Sequence, residues 1–216
     1  MALSTNSEYI DLLMSRLGAR QNPRLRSMVT MEFQLMQATL EQGSFIPWFL
    51  QRDIPVALDI GVTSYDLPDG FLREIESLPW ELSGNDIGTP VLKKKQLDWL
   101  LEKCDEEAVG QPVFYGVSKD WFLVYPAADI AGYSVSVRGY FAQDLISDTS
   151  APANLWLTKG SSWLLNEVGS IVSRTHIQNP RLAEQFAKEA QKARLDLIAA
   201  TEARQATNID YSDQGI

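Results

Sequence analysis

The tetrapeptide Asn-Pro-Arg-Leu stands at residues 22–25 and again at 179–182, and each copy opens a stretch whose apolar residues recur at helical intervals. From the first the stripe runs Leu25, Val29, Phe33, Met36, Leu40; from the second it runs Leu182, Phe186, Ala190, Ala193, Leu197. Steps of four, four, three and four keep every member on one helix face. Asn is a strong N-cap, and proline at the first helical position gives up an N–H that has no partner there. Two long amphipathic helices therefore bracket the chain, and the rest must fit between and around them. Beyond the tetrapeptide the stretches agree only at Glu32/Glu189, Gln34/Gln191 and Leu40/Leu197, and their flanks do not align. Shared capping chemistry accounts for the match without a duplication.

The segments between the two motifs have a different rhythm. Residues 7–17 read as a helix, with Ile10, Leu13, Met14 and Leu17 at helical spacing, Thr5 and Glu8 as a capping box, and Gly18 as its stop. The helix after Asn22 is expected to end at Gly43 in a left-handed cap. Pro47, Pro55, Gly61, Pro68, Gly70 and Pro79 then punctuate the chain too often for long helices. Residues 54–67 read as extended, with a turn inside, and Asp69-Gly70 turns the chain toward Phe71–Ile75. Residues 93–108 read as a helix with Leu97, Leu100, Leu101 and Cys104 on its inner face, or alternatively as a loop-strand excursion. Val113–Val117 and Trp121–Tyr125 flank a polar turn, Ser118-Lys119-Asp120, and Tyr133–Phe141 alternates, with Val135 and Val137 on the face opposite Ser134, Ser136 and Arg138. Helical periodicity returns at Leu155, breaks at Gly160, and continues through Leu164, Leu165, Val168, Ile171 and Val172 to about Thr175. A short link then leads to the second Asn-Pro-Arg-Leu helix, favouring an antiparallel helix pair that reaches about Arg204.

The expected fold is α+β. It consists of N-terminal helices over 1–53, an inserted antiparallel β-rich region over 54–153 and a C-terminal helix pair over 154–205. A flexible polar tail over 206–216 carries only Ile209, Tyr211 and Ile216 as apolar residues. With 45% hydrophobic residues the chain has the means to build a core, and no run approaches the roughly 20 apolar residues of a membrane helix. The polar start, Met1 to Ser7, lacks the basic and apolar regions of a signal peptide.

Net charge is −9, which repels nucleic acid overall. Two local basic groups, Arg16/Arg20/Arg24/Arg26 and Lys93/Lys94/Lys95, have no interleaved aromatic residues. They read as solvated faces or rims of protein contacts. The single cysteine, Cys104, excludes an intramolecular disulfide; Asp105, Glu106 and Glu107 beside it would hold its thiol protonated, so it reads as a small core residue.

Familiar catalytic arrangements find little here. The one histidine, His176, falls in the link between the last two helices, and no G-x-S-x-G elbow, Walker loop or dinucleotide glycine triplet is present. No Asp or Glu falls in a recognisable signature, and nothing calls for a cofactor or a metal. The tryptophans at 48, 80, 99, 121, 156 and 163 scatter through expected core elements, which favours packing and protein interfaces.

The order of elements resembles the head-to-tail adaptor proteins of tailed bacteriophages. The resemblance rests on the Phe45-Ile46-Pro47-Trp48 step after the first long helix and on Tyr65-Asp66-Leu67-Pro68-Asp69-Gly70-Phe71-Leu72-Arg73. It continues through the hairpin ending in Tyr125-Pro126, the return at Leu145–Asp148, and the Trp156-Leu157 and Trp163-Leu164-Leu165 helix. It implies a non-enzymatic virion component at the neck between capsid and tail: a helical bundle with a β-rich insertion, assembled in the host cytoplasm as a ring, commonly of twelve copies, beneath the portal protein. The implied partners are the portal, a tail nozzle or tail tube protein, and copies of the chain itself. DNA would be passing cargo only, with no membrane involved. An acidic channel wall would keep that DNA from adhering. The candidate partner interface is Lys188, Lys192 and Arg194 on the last helix, with Asn208, Ile209, Tyr211 and Ile216 after it. The alternatives are a small hydrolase using His176 or a carboxylate pair, and a cytoplasmic protein-binding module.

Overall fold

The computed structural model describes residues 3–75, 81–83, 91–104 and 108–209, with the backbone alone for Ser83 and 206–209. Trp80, the run Asp105-Glu106-Glu107, Tyr211 and Ile216 lie outside the described residues. In chain order the elements are α1 (Asn6–Arg16), α2 (Pro23–Glu41), a 3-10 turn (Trp48–Leu50), β1 (Gln51–Ala57), β2 (Ser64–Asp66), β3 (Phe71–Glu74), β4 (Glu81–Ser83) and β5 (Lys93–Lys94). There follow α3 (Leu97–Cys104), β6 (Val109–Gly110), β7 (Phe114–Val117), β8 (Trp121–Tyr125), β9 (Ala127–Ala128), β10 (Ser134–Phe141), α4 (Leu155–Lys159), α5 (Ser161–Thr175) and α6 (Pro180–Ile209). The expected α+β class holds. The chain divides into two compact units, Met1–Leu50 with Gln143–Ile216, and Gln51–Ala142.

In the helical unit both Asn-Pro-Arg-Leu motifs cap their helices identically. Asn22 Oδ1 accepts from the Leu25 amide at 3.0 Å and Asn179 Oδ1 from the Leu182 amide at 3.1 Å. Asn154 caps α4 the same way, through Leu157. The Thr5/Glu8 capping box forms, and Gly18 stops α1 with φ +69°. Gly43 departs from expectation. Helix α2 ends at Glu41 with a right-handed Gln42 cap, and Gly43 does not take a left-handed φ; a Cβ there would meet the Leu40 carbonyl at 3.2 Å, a tight contact.

The buried stripe of α2 also differs. It runs Leu25, Val29, Phe33, Gln37, Glu41, and Met36 and Leu40 are only half-buried. Buried polar groups need partners, and these have them. Gln37 Nε2 donates to the Gln143 carbonyl at 2.9 Å, and its Oε1 accepts from the Ile146 amide at 3.2 Å. Glu41 Oε1 accepts from Trp156 Nε1 at 2.8 Å and from the Gln143 amide at 3.2 Å. The strand-like return after β10 is thereby sewn to α2. Around Trp156 an aromatic cluster forms with Phe49 (centroids 5.2 Å apart), Trp163 (6.2 Å) and Phe45 beyond it.

In the β unit, β10 pairs antiparallel with β1 on one side and with β3 and β4 on the other; the second sheet runs β2-β8-β7-β5. The antiparallel core is joined by two short parallel pairs, β5 with β7 and β6 with β9. Inner faces of the two sheets meet through Leu58, Leu82, Tyr115, Phe122, Val124, Val135, Val137 and Phe141. The expected alternation of β10 holds, with Val135 and Val137 buried. On its outer face Arg138 bridges Asp53 at 3.3 Å and Glu81 at 2.8 Å. The Leu58 amide donates to the Tyr133 carbonyl, so even-numbered residues of β1 bond to β10 and odd-numbered ones present their backbone outward. Pro55 is in the outward phase, where it removes an N–H from the edge that no strand among the described residues pairs with.

The helix expected over 93–108 is shorter. Lys93 and Lys94 pair with β7 instead, and α3 covers only Leu97–Cys104. The Lys93 and Lys95 amides bond to the Val113 and Tyr115 carbonyls, a parallel ladder that helical periodicity cannot reveal. Leu100 is buried, packing where Gly116 has no side chain, and Leu97 and Cys104 are half-buried. Leu101, expected inside, is 45% exposed.

Candidate partner interface

Helix α6 is the element from which the sequence-derived interface projects, and its position is fixed by α5. The α5–α6 link is tight: the Asn179 amide donates to the Ser173 carbonyl, and Gln178 takes φ +58°. Ala183, Phe186, Ala190, Leu197 and Thr201 are buried. Gly169 on α5 lets the helices close, because a Cβ there would lie 2.8 Å from Phe186 Cδ1. The N-terminal helix adds a clamp. Arg16 donates to Asn166 of α5 at 2.8 Å and to Glu189 of α6 at 2.6 Å, and its guanidinium lies 4.6 Å from the Phe186 ring centroid. That arginine, read from sequence as part of a basic surface group, is thus a structural tie. So is Arg26, which holds Asp148 at 2.6 Å, Ser7 at 2.9 Å, and Asp11. The guanidinium holds the Asp148 carboxyl below its usual range.

The far end of α6 is anchored independently. The Trp48 amide reaches Thr201 Oγ1 at 3.5 Å, and Arg204 covers the Trp48 ring. The helix continues past the expected end at Arg204 to Ile209. An anchored last turn and the helix-forming Ala206 carry it on.

The structure separates the named interface residues. Lys188 is exposed and pairs with Glu184 at 2.9 Å, an i,i+4 surface bridge of small energetic weight. Lys192 is exposed, one turn further along the same outer stripe, followed by Leu195 at 59% exposure. Arg194 is exposed as well, with its guanidinium 6.0 Å from the Trp163 ring centroid. The backbone of Asn208 and Ile209 belongs to α6. Leu195 is absent from the sequence-derived set; a leucine between Arg194 and Asp196, off the buried stripe, is the signal for it.

Groups that could have carried chemistry are engaged in the fold. His176 Nε2 lies 3.4 Å from Glu32 Oε1. The buried carboxylates Glu41 and Glu74 are each held by donors, Glu74 by the Tyr115 hydroxyl and Lys94. Burial, together with Glu74, pushes the Tyr115 hydroxyl up from its ordinary value. Among the described residues no cluster of His, Cys, Asp or Glu is arranged to hold a metal ion, and no helix is long and apolar enough to cross a membrane.

No curated protein is similar enough to the chain to match it. The family model for SU10 adaptor protein matches residues 7–211, which takes in both units and all of α6. With that extent of agreement, the chain belongs to the SU10 adaptor protein family and is a phage adaptor-type structural protein.

Proposed function

We propose that this virion protein is a head-to-tail adaptor whose copies form a ring, twelve being the number common to such adaptors, beneath the portal protein. The observation that carries the reading is the family match across residues 7–211, joined to a 30-residue helix that leads directly into the C-terminal residues. In this reading the outer stripe of α6, with Lys188 and Lys192, and the segment from Asn208 through Ile209 and Tyr211 to Ile216 grip the portal. The β unit over 51–142 is offered to a tail nozzle or tail tube protein. DNA passes through the ring as cargo, and the net charge of −9 disfavours its adhesion to the wall. Assembly takes place in the host cytoplasm, and the mature position is the neck. An adaptor family is not an enzyme class, and no step of chemistry is assigned.

The test compares the full chain with one ending at Gln205, which keeps the Arg204 anchor. Each is mixed with the purified portal and imaged. The full chain is expected to give a ring stacked on the portal ring, and the shortened chain to keep its circular dichroism and lose the complex. Unchanged binding by the shortened chain would remove the C-terminal segment from the mechanism. Absence of any complex with the full chain would overturn the reading.

A further inference from the structure

Helix α2 carries a second apolar stripe, opposite the buried one. Met28, Met31, Leu35, Ala38 and Gln42 follow one another at steps of three, four, three and four, the spacing of a coiled-coil seam. Neighbouring members sit one turn apart on one face, so Met28 to Ala38 form a continuous strip about 15 Å long. Met31 is 49% exposed and Leu35 56%. No charge interrupts the strip. Arg26 turns to Asp148, Glu32 lies against His176, and Glu41 is buried, which leaves Arg24 at the N-terminal end as the charge on the outer side. An exposed apolar strip cleared of charge has the character of a contact core, and heptad spacing calls for a helix to cover it.

Helix α6 offers a matching strip. Past Lys188 and Lys192 its outer face continues with Leu195, Ala199 and Ala203 at steps of four, all three exposed. The two alanines make a shallow furrow in which Met31 and Leu35 can seat, and Leu195 then falls against the small Ala38. That pairing of large with small runs the helices antiparallel. It leaves Lys192 at Gln42 and Lys188 beyond the end of α2. A parallel alignment that keeps Leu195 on Met31, Leu35 or Ala38 sets Lys192 over the apolar seam, where its charge would be desolvated without a partner. The antiparallel arrangement is therefore the one the two faces fit.

Within one copy the two strips do not meet. Helix α5 packs on α2 and more extensively on α6, whereas α2 and α6 share hardly any contact, so their outer faces look out on different sides of the helical unit. A ring closes when each copy sets one face against a different face of the next. We infer that the Met28–Ala38 seam of α2 receives the Leu195–Ala203 strip of α6 from the adjacent copy, and that this head-to-tail helix pair is the contact repeated around the ring. The inference rests on the ring reading proposed above and supplies its mating surfaces. Lys188 and the C-terminal residues stay outside the contact, where the portal can meet them.

The experiment assembles the full chain on the purified portal, with Cys104→Ser as background. Leu35→Cys and Ala199→Cys in the same chain should, under mild oxidation, give a ladder of linked copies in denaturing electrophoresis. Each cysteine alone should give no linked pair of copies. Separately, Leu35→Glu and Leu195→Glu alter exposed side chains and are checked for wild-type circular dichroism. Each should raise the concentration for half-maximal ring assembly at least about ten-fold, because it buries an unpaired charge. A ring imaged without a ladder would overturn the inference and leave the ring reading standing. So would rings formed by both glutamate variants at the wild-type concentration. Linked pairs from Leu35→Cys alone would give the seam to a two-fold pair of α2 helices and overturn it as well. Absence of a ring from the wild-type chain would overturn both readings.

Discussion

The guanidinium carbon of Arg204 sits 3.5 Å from the centroid of the Trp48 ring, joining the last described turns of α6 to the 3-10 turn after α2. A cation over an indole contributes about 0.5–2 kcal/mol, depending on its desolvation. Arg204→Ala should therefore leave the global melting temperature nearly unchanged and let the end of α6 open locally. Amide exchange over 201–209 should speed up several-fold, and Arg204→Lys should preserve part of the protection. Exchange rates unchanged in Arg204→Ala would mean that Thr201 and Leu197 hold the turn alone.

Gly169→Ala places a methyl group 2.8 Å from Phe186 Cδ1, closer than any relaxed contact. Overpacking of this kind costs about 1–3 kcal/mol. Phe186→Ala leaves a cavity at the same spot and should cost about 3–5 kcal/mol. Denaturant melts of the single variants and of the pair give the sharper result. The double variant should be less destabilised than the sum, because the missing ring makes room for the added methyl group.

Trp156→Phe keeps the aromatic packing with Phe49 and Trp163 but removes the Nε1–H that Glu41 accepts. A buried carboxylate deprived of one charge-assisted hydrogen bond should destabilise the helical unit by about 1–3 kcal/mol. Adding Glu41→Gln should recover part of that loss, since the amide is neutral. Equal stability of Trp156→Phe and wild type would show that Gln37 and the Gln143 amide already satisfy Glu41.

Acid sensitivity follows from Asp148. Its carboxyl is lowered from 3.8, first by the hydrogen bonds from Arg26. A depressed folded-state value means that the contribution is present above the unfolded value and disappears as pH falls through the folded one. Melting temperature should thus be flat near neutrality and fall below about pH 4. Asp148→Asn should be less stable than wild type at pH 7, with the difference closing at low pH. A difference constant across that range would dissociate Asp148 from the acid limb.

Much of the architecture was legible because it is written in local chemistry. Asparagine caps, the Thr5/Glu8 box, the break at Gly160 and the alternation of β10 depend on neighbours in sequence, and the structure realises each. What escaped reading depends on distant partners. Gln37 and Glu41 look like solvent-facing residues until the return at Gln143–Ile146 and the Trp156 indole supply donors and acceptors. Arg16 and Arg26 look like a basic surface until Glu189 and Asp148 arrive from more than a hundred residues away. Lys93–Lys94 read as helix because their ladder with β7 is parallel and short. Of the candidate interface, Lys188, Lys192 and Arg194 are legible as exposed from helical periodicity alone, whereas the Trp163 ring 6.0 Å from Arg194 is a distant neighbour that periodicity does not show.

The proline in β1 bears on how the protein behaves when abundant. An unpaired strand edge at high protein concentration is a seed for fibres. Pro55 deletes one outward donor near the middle of a seven-residue strand, so an incoming strand cannot complete its ladder there. The edge is thereby made sterile toward indiscriminate growth.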